Sequence, residues 1–189
     1  MLSSQARAAL GDWATTSVAN LEHEPLGPLV VSAFVAQGDY LAWPVLISLA
    51  LFGANRAFGN WWTAGICLAG QVVGSLVSEG IVAFRVDAGQ LPVADRHLID
   101  VGPSYVVMSA IVIALACGTW LARVAAALDL AIQVFGGNIF GGLSKLDVAA
   151  VGHVTAAVTA AAGVMLVVIR RRNQANRRQT MWPTAMPIR

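Results

Sequence analysis

Charge is what this sequence has least of. Only 12% of its 189 residues are Asp, Glu, Lys or Arg, about half the share of an ordinary soluble domain. With 57% hydrophobic residues and a mean hydropathy of +0.68, the deficit argues for lipid rather than water around most of the chain. Cysteine is also scarce. Cys67 and Cys117 both fall inside apolar runs, so they read as packing residues, and neither a disulfide framework nor a metal site is expected. No Cys/His/Glu cluster stands at ligand spacing, and no cofactor motif is visible. Residues 1–7 do not lead into an unbroken apolar stretch, so no signal peptide is expected. Nucleic-acid binding lacks any aromatic or fold signature.

What the chain does have is apolar runs. A crossing helix needs about 20 mostly apolar residues, and five candidates can be drawn: Gly38–Asn55, Trp61–Phe84, Asp100–Ala122, Arg123–Gly142 and Leu146–Ile169. The fourth is the weakest, since it carries Asp129, Gln133 and Asn138. These spans predict an all-α fold, a polytopic transmembrane helix bundle of about five spans. Three regions follow: an N-terminal interfacial, amphipathic segment (1–37), the bundle (38–169) and a basic tail (170–189). The first is expected to be helical pieces broken around Pro25 and Pro28, with a re-entrant hairpin at Leu26–Gln37 as the weaker reading.

Basic residues set the orientation. Five of the twelve Lys and Arg lie between Arg170 and Arg178. Placing that cluster in the cytoplasm puts Arg56 and Arg123 there too, and satisfies the positive-inside rule. The predicted location is the cell membrane, multi-pass, with a cytoplasmic C-terminus, where the cluster meets anionic lipid.

In that frame the third and fifth spans start on the same outer side, and each opens on a reactive residue. Ser104 lies four residues past Asp100 and His153 six past Asp147. At about 1.5 Å per residue they sit about 6 and 9 Å deep, close enough for contact if the helices are neighbours. Gly102 and Pro103 place Ser104 in a helical first turn, where backbone N–H groups are free to hold an oxyanion. A first-turn serine that merely caps its helix is the bland alternative. His153 shares a face with Gly152, Ala156, Ala160 and Gly163, a small-residue stripe suited to close helix packing. A structural histidine bonded to a carbonyl is the alternative there. Glu79 is expected to pair with Arg85 or Arg96, and Asp129 with Arg123 or Arg56. His23 and His97 are expected to be solvated.

These residues resemble the rhomboid intramembrane serine proteases, more closely the divergent rhomboid-like membrane proteins of actinobacteria. Gly102-Pro103-Ser104 is similar to the Gly-x-Ser element that opens the family's fourth helix. His153-x-x-Ala156-x-x-x-Ala160 resembles the sixth helix's His-x-x-Gly-x-x-x-Gly, with alanine for both glycines. Phe52-Gly53-Ala54-Asn55-Arg56-Ala57-Phe58-Gly59 resembles the turn after the second helix. Asn20-Leu21-x-His23-x-Pro25 and Asp100-Val101-Gly102-x-Ser104-Tyr105 are similar to the rhomboid-like subset. The likeness spans about residues 18–169 and covers helices two to six of the rhomboid core, the family's first helix having no counterpart.

The resemblance implies a Ser104–His153 dyad acting as an intramembrane serine endopeptidase on transmembrane substrates, with Gly102 and Tyr105 as supporting positions. Two departures count against hydrolysis. Tyr105 stands where the family's serine element usually ends in glycine. Asp39–Leu51 lacks the His and Asn that the second helix usually gives to the oxyanion hole. No acidic third member is identifiable, so the catalytic unit would be a dyad. The alternative is a catalytically inactive pseudoprotease that binds transmembrane partners or shapes the bilayer. A small transporter, motivated by the polar fourth span, lacks the internal repeat of such folds. Partners are therefore the lipid bilayer and transmembrane segments of other proteins; neither an oligomeric state nor a substrate follows.

Overall fold

The computed structural model describes residues 3–35 and 42–181, the side chains of Ser4 and 178–181 excepted. The first part of the expected first span, Gly38–Leu41, and the last part of the tail lie outside the described residues. Within them every regular element is helical, with no strand. Two helices are long and apolar enough to cross a membrane, Asn60–Asp87 and Val148–Arg177, while Ala42–Phe58 and Ser104–Cys117 are apolar but shorter.

The N-terminal region forms three short helices, α1 (Ser4–Ala14), α2 (Val18–His23) and α3 (Leu26–Val31), the last running on as a single tight turn to Phe34. Ser3 and Ser17 accept from Ala6 and Asn20 backbone N–H groups and so start α1 and α2. The expected break at Pro25 is present, but Pro28 is not a second break. It falls in the first turn of α3, where a missing N–H costs nothing.

Five helices form the body: α4 (Ala42–Phe58), α5 (Asn60–Asp87), α6 (Ser104–Cys117), α7 (Trp120–Ala131, continued by a π-turn over Ile132–Gly136) and α8 (Val148–Met181). The expected third span ends at Gly118 rather than Ala122, because Thr119 accepts from the Ala122 N–H and starts α7 there. The last helix runs on beyond Ile169, through the arginine cluster.

Helix α6 is the centre. It is apolar all round, the pattern of a helix with no lipid or water face, and it packs against α4, α5, α7 and α8. Its Val107, Ala110, Ile111, Ile113 and Ala114 are fully buried. The chain alternates direction, so one end of the bundle gathers Arg56, Arg123 and Arg170–Arg172, while the other carries Asp87, Asp95, Asp100 and Asp147. At the arginine end Arg171 donates to the Ala57 and Phe58 carbonyls at the end of α4, tying the last of the five body helices to the first of them.

The N-terminal region closes the acidic end. Thr16 N–H and its hydroxyl both donate to the Asp100 carbonyl, at 3.0 Å each, while Asp100 N–H donates to Thr15 at 2.7 Å. Ser32, fully buried, accepts from Gly102 N–H through its carbonyl and from Gln71 Nε2 through its hydroxyl. Arg96 bridges Glu22 and Asp87.

Candidate functional site

The start of α6 is held open by its own residues. Gly102 has φ +146°, a conformation that disfavours any side chain. Pro103 then begins the helix, and no side chain caps it. The first helical bond is Val107 N–H to the Pro103 carbonyl, so the N–H groups of Ser104, Tyr105 and Val106 have no partner within the helix. Ser104 is half-buried in that turn, and its hydroxyl makes no hydrogen bond with the described residues.

His153 stands one turn into α8, packed directly against α6, and is buried. The side chain that α6 lays on it is Tyr105. The two rings meet edge to face, centroids 5.1 Å apart and planes at 82°. Neither imidazole nitrogen has a hydrogen-bond partner, so no such bond joins His153 to Ser104. The carbonyls of Ala149 and Ile139 lie nearby without completing one. Ser104 is one residue away from Tyr105, about 100° round the helix, on the face it shares with Met108. Met108 packs with Ala156 of α8 beside Leu130, Ile139 and Phe140.

Tyr105 is anchored at both ends. Its hydroxyl donates to Asp100 Oδ2 at 3.0 Å, and Thr16 donates to the same oxygen at 3.2 Å. Its ring lies against Gly152, where an added Cβ would overlap the phenol. Burial pushes the Asp100 carboxyl above the ordinary carboxylate range, and nearby Asp147 adds to the rise, while the bonds from Tyr105 and Thr16 oppose it. Ala156 and Ala160 continue the buried face of α8.

A polar stripe on α5 completes the site. Gln71, Ser75 and Glu79 recur at four-residue steps, with Ser78 beside them, and all four are buried. Gln71 Oε1, Ser75 Oγ and both Glu79 oxygens have no partner. Ser78 and Glu79 lie close to the Tyr105 phenol. Buried polar atoms left open in this way mark room for water or a ligand. Glu79 also lines a cleft of about 200 Å³ between α2 and α5. The expected pairing of Glu79 with arginine is corrected here: Arg85 donates to the Lys145 carbonyl and Arg96 is engaged with Glu22 and Asp87. Asp129 likewise finds neither Arg123 nor Arg56. It accepts from Gln133 Nε2 at 2.8 Å, one helical turn on, while Arg123 donates to the Ala116 carbonyl. His23 and His97 are exposed. Among the described residues no three His, Cys, Asp or Glu side chains converge on a metal position.

The part sequence reading missed is Tyr105 as the histidine's neighbour, along with its tie to Asp100 and Thr16. The four-residue spacing of Gln71, Ser75 and Glu79 was a visible signal for the α5 stripe. Neither a curated protein nor a solved structure matches the chain. A family model described as rhomboid-like protein matches residues 1–172. With nearly the whole chain inside that match, and a serine-opened helix packed on a histidine-bearing one, this protein belongs to the rhomboid-like family.

Proposed function

We propose that this rhomboid-like membrane protein crosses the bilayer five times and acts without hydrolysis, binding transmembrane segments of partner proteins in a locally thinned membrane. The observation that carries the reading is the seat of Tyr105. The tyrosine ring packs edge to face with His153, neither imidazole nitrogen is bonded to Ser104, and the tyrosine's own hydroxyl is committed to Asp100. Helix α7 supports the second part. Even with its π-turn, Trp120–Gly136 spans about 25 Å, short of a hydrocarbon core of about 30 Å. Its Leu121 and Leu128 are exposed on the outside of the bundle, and lipid thins around a short span.

A specific feature favours the alternative, an intramembrane serine endopeptidase. Three free N–H groups surround Ser104, which is the donor arrangement an oxyanion needs. In that reading Ser104 attacks a scissile carbonyl, its proton passes to His153 and then to the leaving amine as the C–N bond breaks, and water releases the acyl group. Labelling with a serine-directed fluorophosphonate in membranes separates the two. We expect no band that depends on Ser104. A band in the wild type that Ser104→Ala abolishes would make the chain a serine hydrolase.

Orientation follows the arginines, with the C-terminus in the cytoplasm and the Ser104 end of α6 facing outward. A reporter fused after Arg189 should read as cytoplasmic; an exported reading inverts the bundle.

A further inference from the structure

Helices α4 and α5 are consecutive yet splay apart. Between them lies a groove of about 610 Å³, walled by Ile47 and Leu51 on one side and Ala64 and Cys67 on the other, and roofed by Phe34. Along α5 it runs from Asn60 to Gln71, eleven residues or about 16 Å. That is half of a hydrocarbon core of about 30 Å, the depth of one leaflet.

Its ends differ chemically. The roof end is closed by the Gln71–Ser32 hydrogen bond. The other end opens at Asn55 and Asn60, beside the turn into α5. There Gly59 leaves α5 without a side-chain cap, so the first N–H groups of a 28-residue helix face outward. One turn inside, Thr63 lines the groove with a buried hydroxyl that has no partner. Positive charge surrounds this mouth. Arg56 lies in the last turn of α4, the Arg170 guanidinium lies 5.9 Å from the Trp62 ring, and that of Arg171 lies 5.0 Å from Phe58. The described segments forming this end, residues 52–63, 114–126 and 165–178, contain no Asp or Glu.

We propose that the groove holds one anionic phospholipid of the cytoplasmic leaflet. Its acyl chain lies between α4 and α5, its ester carbonyl takes the Thr63 hydroxyl, and its phosphate sits at the α5 N-terminus beside Arg56. The inference rests on the membrane-spanning reading and would make the lipid a structural filler of the splayed helix pair.

The test is native mass spectrometry of the full chain in detergent, offered equimolar phosphatidylglycerol and phosphatidylcholine with identical acyl chains. One phosphatidylglycerol should be retained preferentially. Arg56→Gln should lower the ratio of bound phosphatidylglycerol to phosphatidylcholine about fivefold, the weight of one arginine near an anionic surface. Ala64→Trp, at an exposed wall position, should remove the adduct of both lipids. Ser48→Trp on the facing wall should do the same, and it stands in if the first variant misfolds. Equal retention of the two lipids by the wild type, or an adduct that survives both tryptophans, overturns the proposal. Alkaline extraction separates this outcome from failure of the spanning reading. A chain stripped from membranes by carbonate refutes the spans, whereas a resistant chain with no lipid preference refutes the lipid site alone.

Discussion

Gly152→Leu should unfold the site. At this position α8 passes so close to α6 that even a Cβ would overlap the Tyr105 phenol. The ring has little room to move, because its hydroxyl is held by Asp100 and the ring itself packs against His153. Overpacking in a filled interior costs about 1–3 kcal/mol, occasionally more, and in lipid no hydrophobic gain offsets a poor fit between helices. We expect a loss at the upper end of that range, read as a lowered unfolding midpoint in detergent. Gly65→Leu makes the control. It is an exposed α5 glycine beside which an added Cβ meets nothing, and it should leave the midpoint nearly unchanged. Equal effects from the two substitutions would show that the α6–α8 contact is looser than described.

Tyr105→Ala is the second large effect, and it acts in the opposite sense by emptying the same space. Removing a fully buried aromatic ring costs about 3–5 kcal/mol in transfer and cavity energy. Here it also takes away a donor to Asp100, whose carboxylate then keeps only the Thr16 bond. Tyr105→Phe retains the ring against Gly152 and His153 and loses only the hydroxyl, so about 1–2 kcal/mol is expected. If alanine and phenylalanine cost the same, the hydrogen bond and not the ring would be what holds the site. Because Tyr105 and Gly152 touch, their effects should not add. Gly152→Ala in the Tyr105→Ala background should be nearly silent, a coupling that only neighbours show.

Helix α6 was legible because its residues are apolar on every face, and the buried face of α8 because small residues recur from Gly152 to Ala160. Both are periodic signals carried within one helix. The pairing of Asp129 with Gln133 was equally local, four residues apart on one face, but arginines invited a longer reach and concealed it. What was not legible is rotation. Nothing in Gly102-Pro103-Ser104-Tyr105 says which of two adjacent residues meets a histidine fifty positions downstream, since 100° of helix phase is decided by how α6 seats among four neighbours. Span ends failed for a different reason. Gly118 and Thr119 end one helix and cap the next inside a run that stays apolar throughout, so hydropathy is blind to the corner. The ties of Thr16 to Asp100 and of Ser32 to Gly102 and Gln71 leave no periodic trace at all.

Those ties have a consequence for how the molecule is made. The partner of Thr16 lies 84 residues further along the chain, and at about 5–20 residues per second the ribosome needs roughly 4–17 s to deliver it. For that interval α1, α2 and α3 exist without their anchor, and their exposed Trp13, Leu26 and Phe34 are free to meet lipid or a chaperone. The first segment synthesised is among the last to find its place, so the acidic end closes only after Asp100 has emerged.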